Sequence, residues 1–373
     1  MRIAILGTRG IPAAYGGFET LAWELASRLA ARGHEVTVYC RRGRTDESTE
    51  VPPGVRRRFL PFLPGKYLET VSHTGLSVLD SLLRGYDAIW LGNAANAVFA
   101  GLPRLRGTAV ALNVDGVERQ RAKWGPAGRA WYAVGERLAL RFPNAIVSDA
   151  QVIHDYYLER YGKPSAVIAY GAPLLDRDPP PDLGRHGLEG IEPGRYILYV
   201  SRLEPENQAD LVIRAYRDIP GDMPLLIVGD APHASAFKAR LAELAAADPR
   251  VRLTGAIYGI GYRDLQRAAL AYVQATSVGG THPALIEAMG AGNLVLAFRT
   301  PENEEVTAGT GLLFSDATEL ARQLRRVLAE PNSDEFDRFR SGARERVRMK
   351  YTWDAVTTQY EELWTRLGAS SRR

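Results

Sequence analysis

Apolar and polar positions alternate in two rhythms along almost the whole chain. Nearly continuous apolar runs at residues 3–7 (IAILG), 34–40 (HEVTVYC), 86–92 (YDAIWLG), 108–116 (TAVALNVDG) and 144–150 (NAIVSDA) predict strands covered on both faces. Between the first two runs, Phe18, Leu21, Leu25 and Leu29 recur at helical spacing and Gly33 supplies a stop. The chain therefore opens with a βαβ unit and a parallel sheet. A second series repeats the pattern at 196–201 (YILYVS), 224–230 (PLLIVGD), 251–258 (VRLTGAIY), 270–276 (LAYVQAT) and 293–298 (NLVLAF). The two series are separated by residues 173–194, dense in Pro, Gly and charge, which predict a linker. The expected organisation is an α/β protein with a doubly wound domain at 1–172 and another at 195–350. The aromatic-rich amphipathic segment from 351 to 373 is expected to be a helix that packs back on the first domain.

Length agrees with two domains, since 373 residues exceed what one core usually supports. No apolar run approaches the roughly 20 residues needed to span a bilayer, and the short apolar stretch between Arg2 and Arg9 suits a strand better than a signal peptide. A cytoplasmic protein is the expectation. The single cysteine, Cys40, excludes an internal disulfide and is read as a buried strand-end thiol. The net charge of +4 is unevenly spread: residues 1–180 carry 23 Lys and Arg against 17 Asp and Glu, and the rest carry 24 against 26. The excess concentrates at Arg41, Arg42, Arg44 and Arg56 to Arg58, next to Phe59, Leu60, Phe62, Leu63 and Tyr67. Such interleaving suits peripheral contact with the inner membrane surface or an acidic acceptor, and equally a solvated strand edge and loop. No nucleic-acid motif accompanies it.

Three loops carry candidate chemistry. The first, GTRGIPAAYGGFET (7–20), lacks the G-x-G-x-x-G spacing of a dinucleotide site, and the second strand ends in arginines rather than an acid, which disfavours NAD. No Lys-Ser/Thr follows its glycines, so it is not a P-loop either. Gly16 and Gly17 do offer a place without Cβ atoms just before a helix N-terminus, where amides meet an anion or a sugar. In the second loop, Arg202 ends a predicted strand, where a guanidinium grips two phosphate oxygens. The third loop, Gly279-Gly280-Thr281-His282, enters a helix at Pro283 and Ala284; its amides would face a diphosphate, and Glu287, one turn inside, would meet ribose hydroxyls. The pair Asp176 and Asp178 lies in the Pro-rich stretch with no strand ending at it, and the six histidines lack ligand spacing, so no metal is expected.

Taken together, YGGFET with GHEVTVY, SRLEPEN, VGD after PLLI, and PALIEAMGAG resemble the family 4 glycosyltransferases of the GT-B architecture. ILGTRGIPAAYGGFET, NVDGVERQRAKW, IAYGA, GGTHPALIEAMG and YTWDAVTTQYEELW further resemble the bacterial rhamnosyltransferases that build polysaccharide repeat units. The likeness spans nearly the whole chain. It implies two Rossmann-like domains facing a cleft, the first on the acceptor side and the second binding a nucleotide-sugar. It also implies transfer of a sugar, L-rhamnose from dTDP-L-rhamnose, to a hydroxyl of a glycan or lipid-linked glycan, with retention and without metal or cofactor. By the same resemblance Arg202 holds the diphosphate and Glu287 the ribose. Gly16 and Gly17 lie beside the phosphate and acceptor, residues 280 to 284 approach the donor, and Ala256, Ile257 and Tyr258 border the base. Asp115, with Glu118 second, stands where relatives place a histidine that touches the donor sugar. Two positions depart from the family pattern: Asn207 replaces a lysine, and Gly279 replaces a glutamate. A deoxygenated donor sugar accounts for the second, while another UDP- or GDP-sugar, or a catalytically silent nucleotide-sugar-binding protein, remain the alternatives.

Overall fold

The apolar runs of the first half form a seven-stranded, wholly parallel sheet in the computed structural model. That model describes all residues but 13–15, 66–67, 115, 121–123, 232–233 and 372–373. The strands are β1 (Arg2–Leu6), β2 (Glu35–Arg41), β3 (Val55–Leu60), β4 (Ala88–Gly92), β5 (Ala109–Val114), β6 (Ala145–Ser148) and β7 (Ala166–Val167), in the order β3-β2-β1-β4-β5-β6-β7. Helices α1 (Gly17–Ala31), α2 (Leu68–Leu82), α3 (Gly101–Leu105), α4 (Pro126–Ala139) and α5 (Gln151–Tyr161) connect them. The inner strands β1, β4 and β5 are buried along almost their whole length, as strands sandwiched between helices must be. β3 is the exception the apolar pattern did not predict. Its sequence VRRRFL sits at the sheet edge, where alternate side chains reach water, so the basic run is an edge strand.

The second half repeats the plan with six parallel strands: β8 (Ile197–Val200), β9 (Leu225–Val228), β10 (Val251–Gly255), β11 (Ala271–Gln274), β12 (Leu294–Phe298) and β13 (Leu312–Phe314), ordered β10-β9-β8-β11-β12-β13. Around them lie α6 (Ala209–Arg217), α7 (Ser235–Ala246), α8 (Gly259–Ala268), α9 (Pro283–Gly290), α10 (Pro301–Thr307), α11 (Ala317–Ala329) and α12 (Asp334–Lys350). One compact unit comprises Met1–Gly171 together with Trp353–Arg373, and the other comprises Ala172–Thr352. The Pro-rich stretch belongs to the second unit. There the Leu175 amide donates to the Gly290 carbonyl, Arg177 reaches the carbonyls of Ala269 and Gly292, and Leu183, Leu188 and Ile191 are buried.

The last helix, α13 (Trp353–Ser371), packs on the first unit. Tyr360 is fully buried, and its hydroxyl accepts from Trp90 Nε1 (3.1 Å) on β4 and from Asn113 Nδ2 (3.0 Å) on β5. Arg32 and His34, at the end of α1, bind Glu361. The ring of Trp353 lies where a Cβ on Gly171 would stand, 2.4 Å away, which explains why a glycine precedes this crossing in IAYGA.

Candidate active site

In an open parallel sheet, ligands bind beyond the carboxyl ends of the strands, at the point where the strand order reverses. The second unit has that point between β8 and β11, because the chain leaves β8 for β9 on one side while β11 lies on the other. Two of the predicted loops emerge there. Arg202 follows β8 by two residues, and Gly279 to Ala284 lead from β11 into α9. The amide and hydroxyl of Ser277 both donate to the Glu206 carbonyl at 3.0 Å, stitching one loop to the other.

Arg202 is half-buried, and its guanidinium has no ion-pair partner among the described residues. A strand-end cation left unpaired at a switch point is available to an anionic ligand. Asn207 is turned inward instead. It is buried, its Nδ2 donates to the Arg202 carbonyl (2.6 Å), and its own carbonyl accepts from Tyr199 Oη (2.7 Å). The residue that replaces the family's lysine therefore holds the turn that presents Arg202.

In the donor loop Gly279, Gly280 and Thr281 are buried, while His282, Pro283 and Ala284 are partly open at the start of α9. His282 occupies the N-cap position with extended backbone, and Pro283 takes the first helical position, where a missing N–H costs nothing. A Cβ on Gly279 would lie 2.6 Å from His282 Cε1. The imidazole thus fills the space a side chain at 279 would need. Gly279→Ala is expected to push His282 aside, on a backbone whose φ of +157° already strains any side chain, and to weaken nucleotide affinity about tenfold, as read by calorimetric titration.

Glu287 receives a hydrogen bond from Tyr262 on α8, and Gln266 Nε2 in turn donates to Tyr262 Oη (2.9 Å). Burial first, and the Glu287 charge second, push the Tyr262 phenol far above its ordinary range, so it stays a donor that orients the carboxylate. Sequence reading did not find Tyr262 or Gln266, because α8 and α9 are brought together by packing and not by spacing. Ala256, Ile257 and Tyr258 form the turn from β10 into α8, where Tyr258 and Ile260 are exposed.

The first unit has its own reversal between β1 and β4. Gly7 ends β1 so close to β4 that a Cβ would be 2.5 Å from the Gly92 carbonyl, and at Gly10 a Cβ would strike Cys40 at 2.7 Å. Cys40 is a buried thiol, and burial pushes it up to about 11. Gly16 caps α1 with extended backbone, its carbonyl accepting the amides of Glu19 and Thr20, and Gly17 is the first helical residue. Glu19 of the same motif is buried, and its Oε1 accepts the Arg9 amide (2.9 Å), which pins the glycine loop; burial raises its pKa against that hydrogen bond. Asp115 lies outside the described residues, as do Tyr67 and the Ala13 to Tyr15 part of the glycine loop. Glu118 is buried and accepts from Trp124 Nε1 (3.1 Å). Its loop is held by buried Glu136, which gathers Arg119, Tyr156 and Tyr161.

On α2, His73 is fully buried, and burial, then the Arg41 charge, push it down to about 4. The unfolded chain takes up a proton near pH 6.5 that the folded chain refuses until about pH 4. Stability from this group is complete above about pH 6.5 and falls on the order of 3 kcal/mol as the pH drops to about 4. The melting temperature of His73→Leu should therefore lose less than the parent's between pH 7 and pH 4.5.

Two family models match the chain. One describing a glycosyl transferase 4-like domain covers residues 16–171, and one describing glycosyl transferases group 1 covers residues 194–330. The chain is a GT4-type glycosyltransferase. A comparison with curated protein sequences finds no match. Among solved structures, the glycosyltransferase is similar to sucrose-phosphate synthase from Thermosynechococcus elongatus, with TM-score 0.80, 23% identity and 99% of each chain covered. It is also similar to Anabaena HepE in complex with UDP-glucose (TM-score 0.76, 17% identity, 98% of this chain and 99% of that one). A third similar structure is WaaG, a glycosyltransferase involved in lipopolysaccharide biosynthesis (TM-score 0.70, 17% identity, 95% and 98% covered). At these identities the likeness establishes the fold. The glycosyltransferase has the GT-B architecture, with two Rossmann-like parallel-sheet domains.

Proposed function

We propose that the enzyme moves L-rhamnose from dTDP-L-rhamnose to a hydroxyl of a glycan or lipid-linked glycan in polysaccharide biosynthesis, with retention and without a metal. The observation that carries the donor class is Arg202, whose guanidinium has no ion-pair partner among the described residues, at the switch point of the second unit from which the loop into α9 also emerges. HepE, of the same fold, binds UDP and UDP-glucose. Rhamnose is favoured within that class by the donor loop, where the sequence resembles rhamnosyltransferases and His282 stands in the space of a carboxylate that would bind sugar hydroxyls.

In this reading the bond from the anomeric carbon to the diphosphate oxygen breaks with its electron pair going to the diphosphate, a bond to the acceptor oxygen forms on the same face, and the acceptor proton passes to the released phosphate oxygen. The departing diphosphate gains charge, so Arg202 and the amides of Gly280 to Ala284 bind it more tightly in the transition state than in the ground state. Glu287, held by Tyr262, accepts from the ribose hydroxyls, and the base lies against Ala256, Ile257 and Tyr258. Gly16 and Gly17 serve the reacting end and the acceptor. Asp115 contacts the sugar or acceptor, with Glu118 in support. The enzyme acts in the cytoplasm; no helix among the described residues is long and apolar enough to cross a membrane.

The test is thermal stabilisation by dTDP, UDP, GDP and NAD, followed by transfer assays with and without EDTA. Ligand near 100 times its Kd stabilises by about 2.7 kcal/mol. The largest shift is expected with dTDP, with EDTA-resistant transfer from dTDP-L-rhamnose. A larger response to UDP or GDP overturns the rhamnose assignment, and a response to NAD alone overturns the donor class.

A further inference from the structure

Helix α2 buries one face against the sheet through Ser77, Val78 and Ser81, and leaves the opposite face unusually apolar. Leu76, Leu79 and Leu83 follow one another at helical spacing and are 41%, 56% and 86% exposed. α3 packs beside α2, where the missing Cβ of Gly75 lets the Phe99 ring approach, and adds Leu102 and Leu105, the latter 85% exposed. Single exposed leucines are ordinary, but five on two adjoining helices form a patch that calls for an occupant.

Cations accompany the leucines of both helices. Toward the sheet edge, a cavity of about 230 Å³ is lined by Arg2, Arg56, Arg58, Arg84 and Tyr86, with Glu35 as its acidic member. Asp80 of α2, next to Leu79, joins this cavity to the leucines by accepting from both Arg58 and Arg84 (2.8 and 2.6 Å); one carboxylate thus serves two guanidinium groups. Arg56 approaches Glu35 only to 3.9 Å. On α3, Arg104 and Arg106 bracket Leu105 in sequence; Arg104 donates to a backbone carbonyl, and neither it nor Arg106 has an ion-pair partner among the described residues. A second copy of the chain would bring the same cations against themselves across a twofold axis. An anionic bilayer surface complements both parts at once: leucines enter the acyl boundary while guanidinium groups meet lipid phosphates.

We propose that the exposed leucine face of α2 and α3, flanked by the Arg2/Arg56/Arg58/Arg84 cavity and by Arg104 and Arg106, docks the enzyme on an anionic lipid surface. Of the basic run in the sequence this surface takes Arg56 and Arg58 and not Arg41, which is buried against Glu69, and its apolar part is the leucines of α2 and α3 rather than the residues that follow the run. It also goes beyond the donor reading, because lipid binding needs no nucleotide. Failure of one leaves the other standing.

The test is co-sedimentation of the full chain with vesicles of phosphatidylcholine alone or with one third phosphatidylglycerol. Binding is expected only to the anionic vesicles and is expected to fall at high salt. Leu83→Ser/Leu105→Ser should weaken it about tenfold or more. Arg104→Glu/Arg106→Glu should weaken it too, with melting temperature and dTDP binding unchanged in both variants. Equal binding to neutral vesicles, no binding to either, or parental binding by the leucine variant overturns the proposal. So does a parental dimer that the leucine variant turns into a monomer, which makes the face a contact between copies.

Discussion

Replacing Arg202 with alanine is expected to lower kcat/KM about a thousandfold while leaving the melting temperature where it was. The two halves of that expectation come from the same observation. Because the guanidinium has no carboxylate partner among the described residues, removing it strands no buried charge and costs the fold little. Because it stands at the reversal point between β8 and β11, removing it takes a strand-end cation from the place proposed for the leaving diphosphate. The loss should fall on kcat as well as KM, since the leaving group carries more charge in the transition state than in the bound substrate. Arg202→Lys keeps the charge but not the planar fork, and should fall between parent and alanine. Steady-state kinetics with kcat and KM separated decide the matter. A variant with full kcat and a raised KM would mean that Arg202 binds donor and transition state alike; full activity would remove it from the site.

The sheet and its order were largely legible because buried parallel strands need continuous apolar runs, and this chain has ten of the kind. What escaped was short or polar. β13 is three residues bounded by Gly311 and Ser315, and β7 is two residues, while β3, with its three consecutive arginines, is the solvated strand edge that its charge allowed and the apolar pattern did not mark. At the edge of a sheet one face is wet, so Arg56 and Arg58 are tolerated there, while Arg57 turns to the carbonyls of Asp46, Glu47 and Thr49. Among site residues, those tied to strand ends and helix starts, such as Arg202, Gly16 and His282, were placed by local rules. Tyr262 was not, because its meaning depends on α8 lying against α9. Asn207 shows the same limit from the other side: its position, where the family has a lysine, put it among the donor-site candidates, and only tertiary packing shows its amide turned to the Arg202 carbonyl.

The glycine of VGD makes the dependence of chemistry on backbone packing measurable. Gly229 follows β9 with φ +147°, and a Cβ there would lie 1.8 Å from the Ser201 carbonyl oxygen. Its amide donates to the Gly255 carbonyl (2.9 Å), and the Ser201 amide donates to the Val228 carbonyl (3.1 Å), so the exits of β8, β9 and β10 meet at this residue. A side chain can swing away from an intruding methyl, but a carbonyl held in this lattice moves only with its strand, and the next residue is Arg202. Gly229→Ala is therefore expected to cost about 3 kcal/mol or more, roughly 10 °C in the melting of this unit, and to abolish transfer in the protein that remains folded. Gly221→Ala is the control: Gly221 also has positive φ, +99°, but lies in an exposed turn with nothing near its Cβ, and should cost only about 1 kcal/mol. If Gly229→Ala loses stability yet keeps its kcat/KM per folded molecule, the Ser201 carbonyl yields without moving the guanidinium, and the positioning of Arg202 must rest on Asn207 and the Ser277 bridge instead.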